Sequence, residues 1–113
     1  MQTNAPQRRQ YQDVFTQIAS GWATASPGAI ASGASGSVTI TVPGVAADGT
    51  WEVISETTNA ANLAVAGVLI TGTVSAANTV ILTIANLSGG SITPTAASKY
   101  VAVCGKLDPR FTL

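Results

Sequence analysis

Two long stretches of this 113-residue chain, residues 14–47 and residues 57–98, contain no charged side chain. A free domain ordinarily keeps charge on its exposed strand faces and edges, because an uncharged edge offers its backbone groups to any other strand. Uncharged runs of this length therefore read as surface that is covered in the working state. The whole chain has five Lys plus Arg, five Asp plus Glu, no His and one Cys, for a formal net charge of zero. A nucleic-acid module needs a basic face to neutralise phosphates, so that class is disfavoured. Intrinsic disorder is disfavoured too, since a chain that is 46% apolar without net charge collapses.

No secretion signal is expected. Arg8 and Arg9 are followed by Gln10, Gln12, Asp13, Thr16 and Gln17 rather than by a continuous apolar stretch. The longest apolar run, residues 63–70, is far short of the ~20 residues of a membrane helix, so a soluble protein with no membrane partner is expected. Cys104 has no partner within the chain and excludes an intrachain disulfide.

Periodicity divides the chain. Over residues 10–22 the apolar positions Tyr11, Val14, Phe15, Ile18, Ala19 and Trp22 are spaced by three, one, three, one and three. That spacing predicts one face of a short helix, with Gly21 closing it. Such a helix is marginal alone in water and needs a surface to dock on. Residues 23–36 hold Ala, Ser, Gly and Pro with a single large apolar residue, Ile30. They read either as a linker or as an extended arm lying on a neighbour.

From residue 37 the pattern is that of strands. Val38, Ile40 and Val42 alternate with Ser37, Thr39 and Thr41. Further strands are predicted at 51–55, 63–74, 79–87 and 99–105, with a short edge-like one at 91–95 limited by Pro94. Short strands joined by Gly, Pro and Asn turns predict an all-β fold, a β-sandwich or barrel. The expected organisation is an N-terminal arm over residues 1–36, carrying the possible short helix, and a β-domain over 37–113. A β-domain of that size seldom builds a stable core alone and gains from disulfides, metals or oligomerisation. Only self-association remains open to this sequence.

Catalytic chemistry finds few candidates. Nucleophilic catalysis by Cys104 or a Ser would need a base, and the chain has no His; Cys104 reads as a small packing residue. Glu52 and Glu56, four residues apart on one face of a strand, would stand ~13 Å apart, beyond the usual glycosidic acid–base spacing. A zinc site lacks ligands, and no cofactor is expected. Trp51 reads as core, whereas Trp22 is either a cover over the sandwich or an anchor in a partner's pocket. Arg8 and Arg9 are candidates for a carboxylate contact. The candidate partner-binding set is Arg8, Arg9, Tyr11, Val14, Phe15, Ile18 and Trp22, facing a partner protein or a neighbouring subunit.

The segments Val42-Pro43-Gly44-Val45-Ala46, Trp51-Glu52-Val53-Ile54-Ser55, Ala76-Ala77-Asn78-Thr79-Val80-Ile81-Leu82 and Ala85-Asn86-Leu87-Ser88-Gly89-Gly90-Ser91-Ile92-Thr93-Pro94 occur here in that order. This order resembles small virion proteins of tailed bacteriophages, particularly capsid decoration (cement) proteins, over residues 42–103. The resemblance implies a homotrimeric, jelly-roll-like β-sandwich with an extended N-terminal arm. It implies a structural, non-enzymatic role: binding the major capsid protein on the outer surface of the virion after synthesis in the host cytoplasm, and clamping neighbouring subunits. Similar modules occur in tail fibres and other appendages, where the partner is a host receptor or another virion protein.

Overall fold

The alternating segments at 37–42 and 79–87 become two strands that pair directly with each other. The computed structural model describes residues 14–111. It contains β1 (Phe15–Ala25), β2 (Ser35–Thr41), β3 (Trp51–Thr58), β4 (Val68–Ala76), β5 (Thr79–Asn86) and β6 (Ser98–Leu107), with 3-10 turns at Ala61–Leu63 and Pro109–Phe111. The strands form two three-stranded sheets, in the orders β1-β6-β3 and β2-β5-β4. Every pair is antiparallel. The all-β expectation holds at this level.

One apolar cluster joins the two sheets. Val38, Ile40 and Val42 meet Val80, Leu82 and Ile84 from β5, and Tyr100, Ala102 and Cys104 from β6. Burial in β5 and β6 alternates along the strand, so one row of each faces the cluster and the other faces away, as pleating requires. Trp51 and Val53 of β3 pack against the cluster from one side, and Ala19, Ala23 and Ala25 of β1 from the other.

The expected helix at 10–22 is corrected where the structure describes it: residues 15–25 are strand β1, paired with β6 from Phe15↔Leu107 to Ala25↔Ser98. The cause lies in the small residues. Ala19, Gly21, Ala23 and Ala25 alternate with Ile18, Ser20, Trp22 and Thr24, and a count of large side chains misses this period of two. Gly21 does not end a helix. It is the point where β1 crosses β2, and a Cβ there would collide with the Thr41 carbonyl oxygen. The division expected at residue 36 falls inside β2, and the described part of the segment before it, residues 14–35, is built into the fold. Ile30 is buried in the core and exchanges backbone hydrogen bonds with Ile92. Residues 91–95 form only that isolated bridge rather than a strand. The strand expected from 63 begins at Val68, after the 3-10 turn.

Neutral side chains lock the loops. The Asn86 amide nitrogen donates to the carbonyls of Ile30 (2.8 Å) and Gly90 (2.7 Å), while its oxygen accepts from the Ser88 N–H and hydroxyl. Asn62 donates to the Thr93 carbonyl and accepts from the Thr95 N–H. Asn78, at φ 58°, turns β4 into β5 and accepts from the Gly44 N–H at 2.8 Å.

Gly21→Ala is expected to lower the unfolding free energy by about 1–3 kcal/mol, because backbone on β2 must move to admit the methyl group. Gly28→Ala, in open space, should change it by less than about 0.5 kcal/mol. Urea titration of the two variants checks the contrast.

Candidate functional site

Because Tyr100, Ala102 and Cys104 face the core, their neighbours Lys99, Val101, Val103 and Gly105 face outward from the β1-β6-β3 sheet. The register places Thr24, Trp22, Ser20 and Ile18 beside these four on β1, and Thr57, Ser55 and Glu52 beside Val101, Val103 and Gly105 on β3. The outer face is consequently apolar along its middle. Trp22 is 60% exposed, Ile18 62% and Ile54 44%, with Val101 and Val103 half-buried between them. At one end the Phe15 ring and Ile54 close over Gly105, whose missing side chain leaves them room.

Among the described residues, charge sits only at the ends of this stripe. The Lys99 ammonium lies 4.4 Å from the centre of the Trp22 ring, a cation–π contact. Glu52, exposed, stands beside Gly105 at the opposite end. A bulge between Val53 and Ser55 shifts the register of β3. Glu52 therefore faces outward with Gly105, while Glu56 pairs with inward-facing Ala102. The expected placement of both carboxylates on one face is corrected by that single extra residue.

The outer face of the other sheet is different. Ser37, Thr83 and Thr71 stand in one row across it, and Thr39, Ile81 and Thr73 in the next. It carries mainly hydroxyls, with Ile81 and the exposed Leu69 as its large apolar groups.

Among the described residues, open clefts flank the sheets at two places. One, of about 400 Å³, lies between the edges of β3 and β4 and is lined by Trp51, Glu52, Val53, Gly72 and Thr73 among others. The second, of about 250 Å³, is lined by Thr57, Thr58, Asn59, Lys99 and Val101. Neither brings together a nucleophile and a base. Cys104 is fully buried, and burial raises its thiol pKa, which suits a packing residue. Tyr100 is buried, and burial raises its pKa against a smaller opposing effect of the nearby Thr58 hydroxyl. Asp48 and Asp108 are held below the ordinary carboxylate range by hydrogen bonds from Thr50 and Arg110 respectively, so they serve turns. Among the described residues no group of three His, Cys, Asp or Glu is placed to hold a metal, and no helix is long and apolar enough to cross a membrane.

Of the sequence-predicted partner residues, Arg8, Arg9 and Tyr11 lie outside the described residues. Phe15, Ile18 and Trp22 do share one surface, though as a strand face rather than a helical stripe. Val14 sits just before β1, where its carbonyl accepts from the Asp108 N–H at 2.9 Å. The set lacked Ile54, Lys99, Val101 and Val103. The signal for the two valines was present: residues 99–105 are apolar on both faces, while only one face of that strand meets the core. Compared with protein families, curated proteins and solved structures, the chain shows no match.

Cys104→Ala is expected to leave assembly intact and to cost about 1 kcal/mol of stability. Cys104→Ser should cost about 1–3 kcal/mol, since it buries a hydroxyl in an apolar cluster. Thermal unfolding of both variants, each followed by an assembly assay, checks the order; loss of assembly in a folded Cys104→Ala variant would instead indicate a working thiol.

Proposed function

We propose that this protein is a structural virion protein: a homo-oligomeric capsid decoration (cement) protein that binds the outer shell and clamps neighbouring major capsid subunits. The carrying observation is the outer face of the β1-β6-β3 sheet, where Ile18, Trp22, Ile54, Val101 and Val103 stand exposed or half-buried among Ser20, Ser55 and Thr57, without an interior charge among the described residues. Contiguous exposed apolar surface rimmed by polar groups marks an interaction site. Burying Trp22 and Ile18 alone would contribute about 1.5–3 kcal/mol each.

Three further features support a scaffold role. The loops spend their asparagines on internal locks, which leaves few polar groups free to recognise a ligand. Neither cleft assembles a catalytic set. The two sheets, read as the halves of a jelly-roll-like β-sandwich, each present an outer face for packing on a lattice. The family resemblance implies three copies per unit, and joined copies bind by avidity: once one contact is made, the others form at high effective concentration. The protein works without a cofactor, at the outer capsid surface, with the major capsid protein as partner.

One observation favours the second reading, a tail-fibre or appendage module that binds a host receptor. Trp22 and Lys99 stand beside the cleft lined by Thr57 and Asn59, an aromatic and polar grouping of the kind a receptor site uses.

Quantitative mass spectrometry of purified mature particles separates the two. Hundreds of copies per particle are expected, with occupancy reduced at least tenfold in the double variant Ile18→Ala with Trp22→Ala. A few copies per particle would favour the appendage reading, and absence from particles would refute both.

A further inference from the structure

The outer face of the β1-β6-β3 sheet has opposite charges at its two ends, and that arrangement determines what can cover it. We infer that the occupant is a second copy of the same face, packed across a two-fold axis that runs perpendicular to the strands. This inference rests on the reading of a homo-oligomer with that face covered; it assigns the face to the contact between copies and leaves attachment to the shell to other surface.

Lys99 and the position beside Glu52, Gly105, are six residues apart on β6, which is ~20 Å along an extended strand. Trp22, Val101 and Val103 fill the interval, while Ile18 and Ile54 sit at the Gly105 level, on either side of β6. An isologous contact places residue i of one copy on residue j of the other, and j on i. Two in-plane axes bring the faces together. An axis parallel to the strands keeps the ends in place, so Lys99 approaches Lys99 and Glu52 approaches Glu52. An axis perpendicular to the strands reverses them, so Lys99 of each copy approaches Glu52 of the other, one strand (~4.8 Å) to the side. The second arrangement makes two opposite-charge contacts at the rim and buries the apolar stripe between them. The first makes like-charge contacts, which disfavour that register.

The same reversal suits the side chains. With the Lys99 level on the Gly105 level, the Trp22 level of β1 meets the Ser20 level of the other copy, so the largest side chain meets a small one. A face carrying one sign of charge would have no such preference. The pairing is by twos, which differs from the three-fold unit that the family resemblance implies.

Charge reversal in the purified full-length chain tests this without particles. The unmodified protein is expected to sediment as a dimer at micromolar concentration. Lys99→Glu and Glu52→Lys should each raise the dissociation constant at least tenfold. The double variant should return it to within about threefold, although it too lacks the lysine over Trp22. Circular dichroism confirms that each variant keeps its fold, since both side chains are exposed. A monomer or a trimer at that concentration overturns the inference, as does a dimer indifferent to both single changes or not restored by the double. A protein monomeric in solution yet abundant on particles would overturn the pairing and leave the virion reading standing. A charge-dependent dimer missing from particles would support the pairing and remove the virion reading.

Discussion

The pairing of β1 with β6 is the contact on which both the core and the exposed face depend. On the inner side it brings Ala19, Ala23 and Ala25 against the buried cluster and lets Gly21 approach the Thr41 carbonyl of β2. On the outer side it lifts Ile18 and Trp22 into the row begun by Val101 and Val103. Small residues inward and large residues outward reverse the usual arrangement of an amphipathic strand. The inner side is small because the sheets meet closely there, and the outer side is large without an intramolecular reason. Large apolar groups that the fold does not use are what an interface requires.

Charge poverty shapes the rest. With no ionisable side chain in residues 14–47 or 57–98, loops cannot be fixed by ion pairs. Neutral hydrogen bonds take that role: Asn59 accepts from the Lys99 N–H, Asn62 ties down residues 93–95, Asn78 holds Gly44, and Asn86 gathers Ile30, Ser88 and Gly90. Such bonds are indifferent to salt and to pH over the ordinary range, a useful property for a structural part. The few charges that remain are sparse enough for their positions to matter, as at the two ends of the apolar face.

Much of the fold was legible in the sequence, and the failures have identifiable causes. β2 and β5 are read directly because Val, Ile and Leu alternate there with Ser, Thr and Ala, and β6 because Val101 and Val103 alternate with Tyr100, Ala102 and Cys104. β1 is misread as a helix because its inward row is Ala and Gly, which a count of large side chains ignores. β4 is begun too early, since Leu63 is buried by a 3-10 turn rather than by a strand. Residues 91–95 look like a strand yet make one bridge, with Pro94 among them unable to donate. Ile30 is an isolated apolar residue in a small-residue stretch, and only the tertiary fold shows that it belongs to the core. For the candidate site, the sequence identified Phe15, Ile18 and Trp22 but not the surface they share. That surface depends on the register with β6 and on the β3 bulge, which separates Glu52 from Glu56; neither is written in local pattern.

Protection of Trp22 tests the covered-face claim most directly. Hydroxyl-radical footprinting with mass-spectrometric readout compares dilute protein with its assembled form, whether paired in solution or bound to particles. Trp22, Ile18 and Ile54 should lose reactivity several-fold on assembly, while Leu69 and Ile81 on the other sheet keep theirs. Unchanged reactivity at Trp22, with protection appearing on the hydroxyl-bearing face instead, would contradict it.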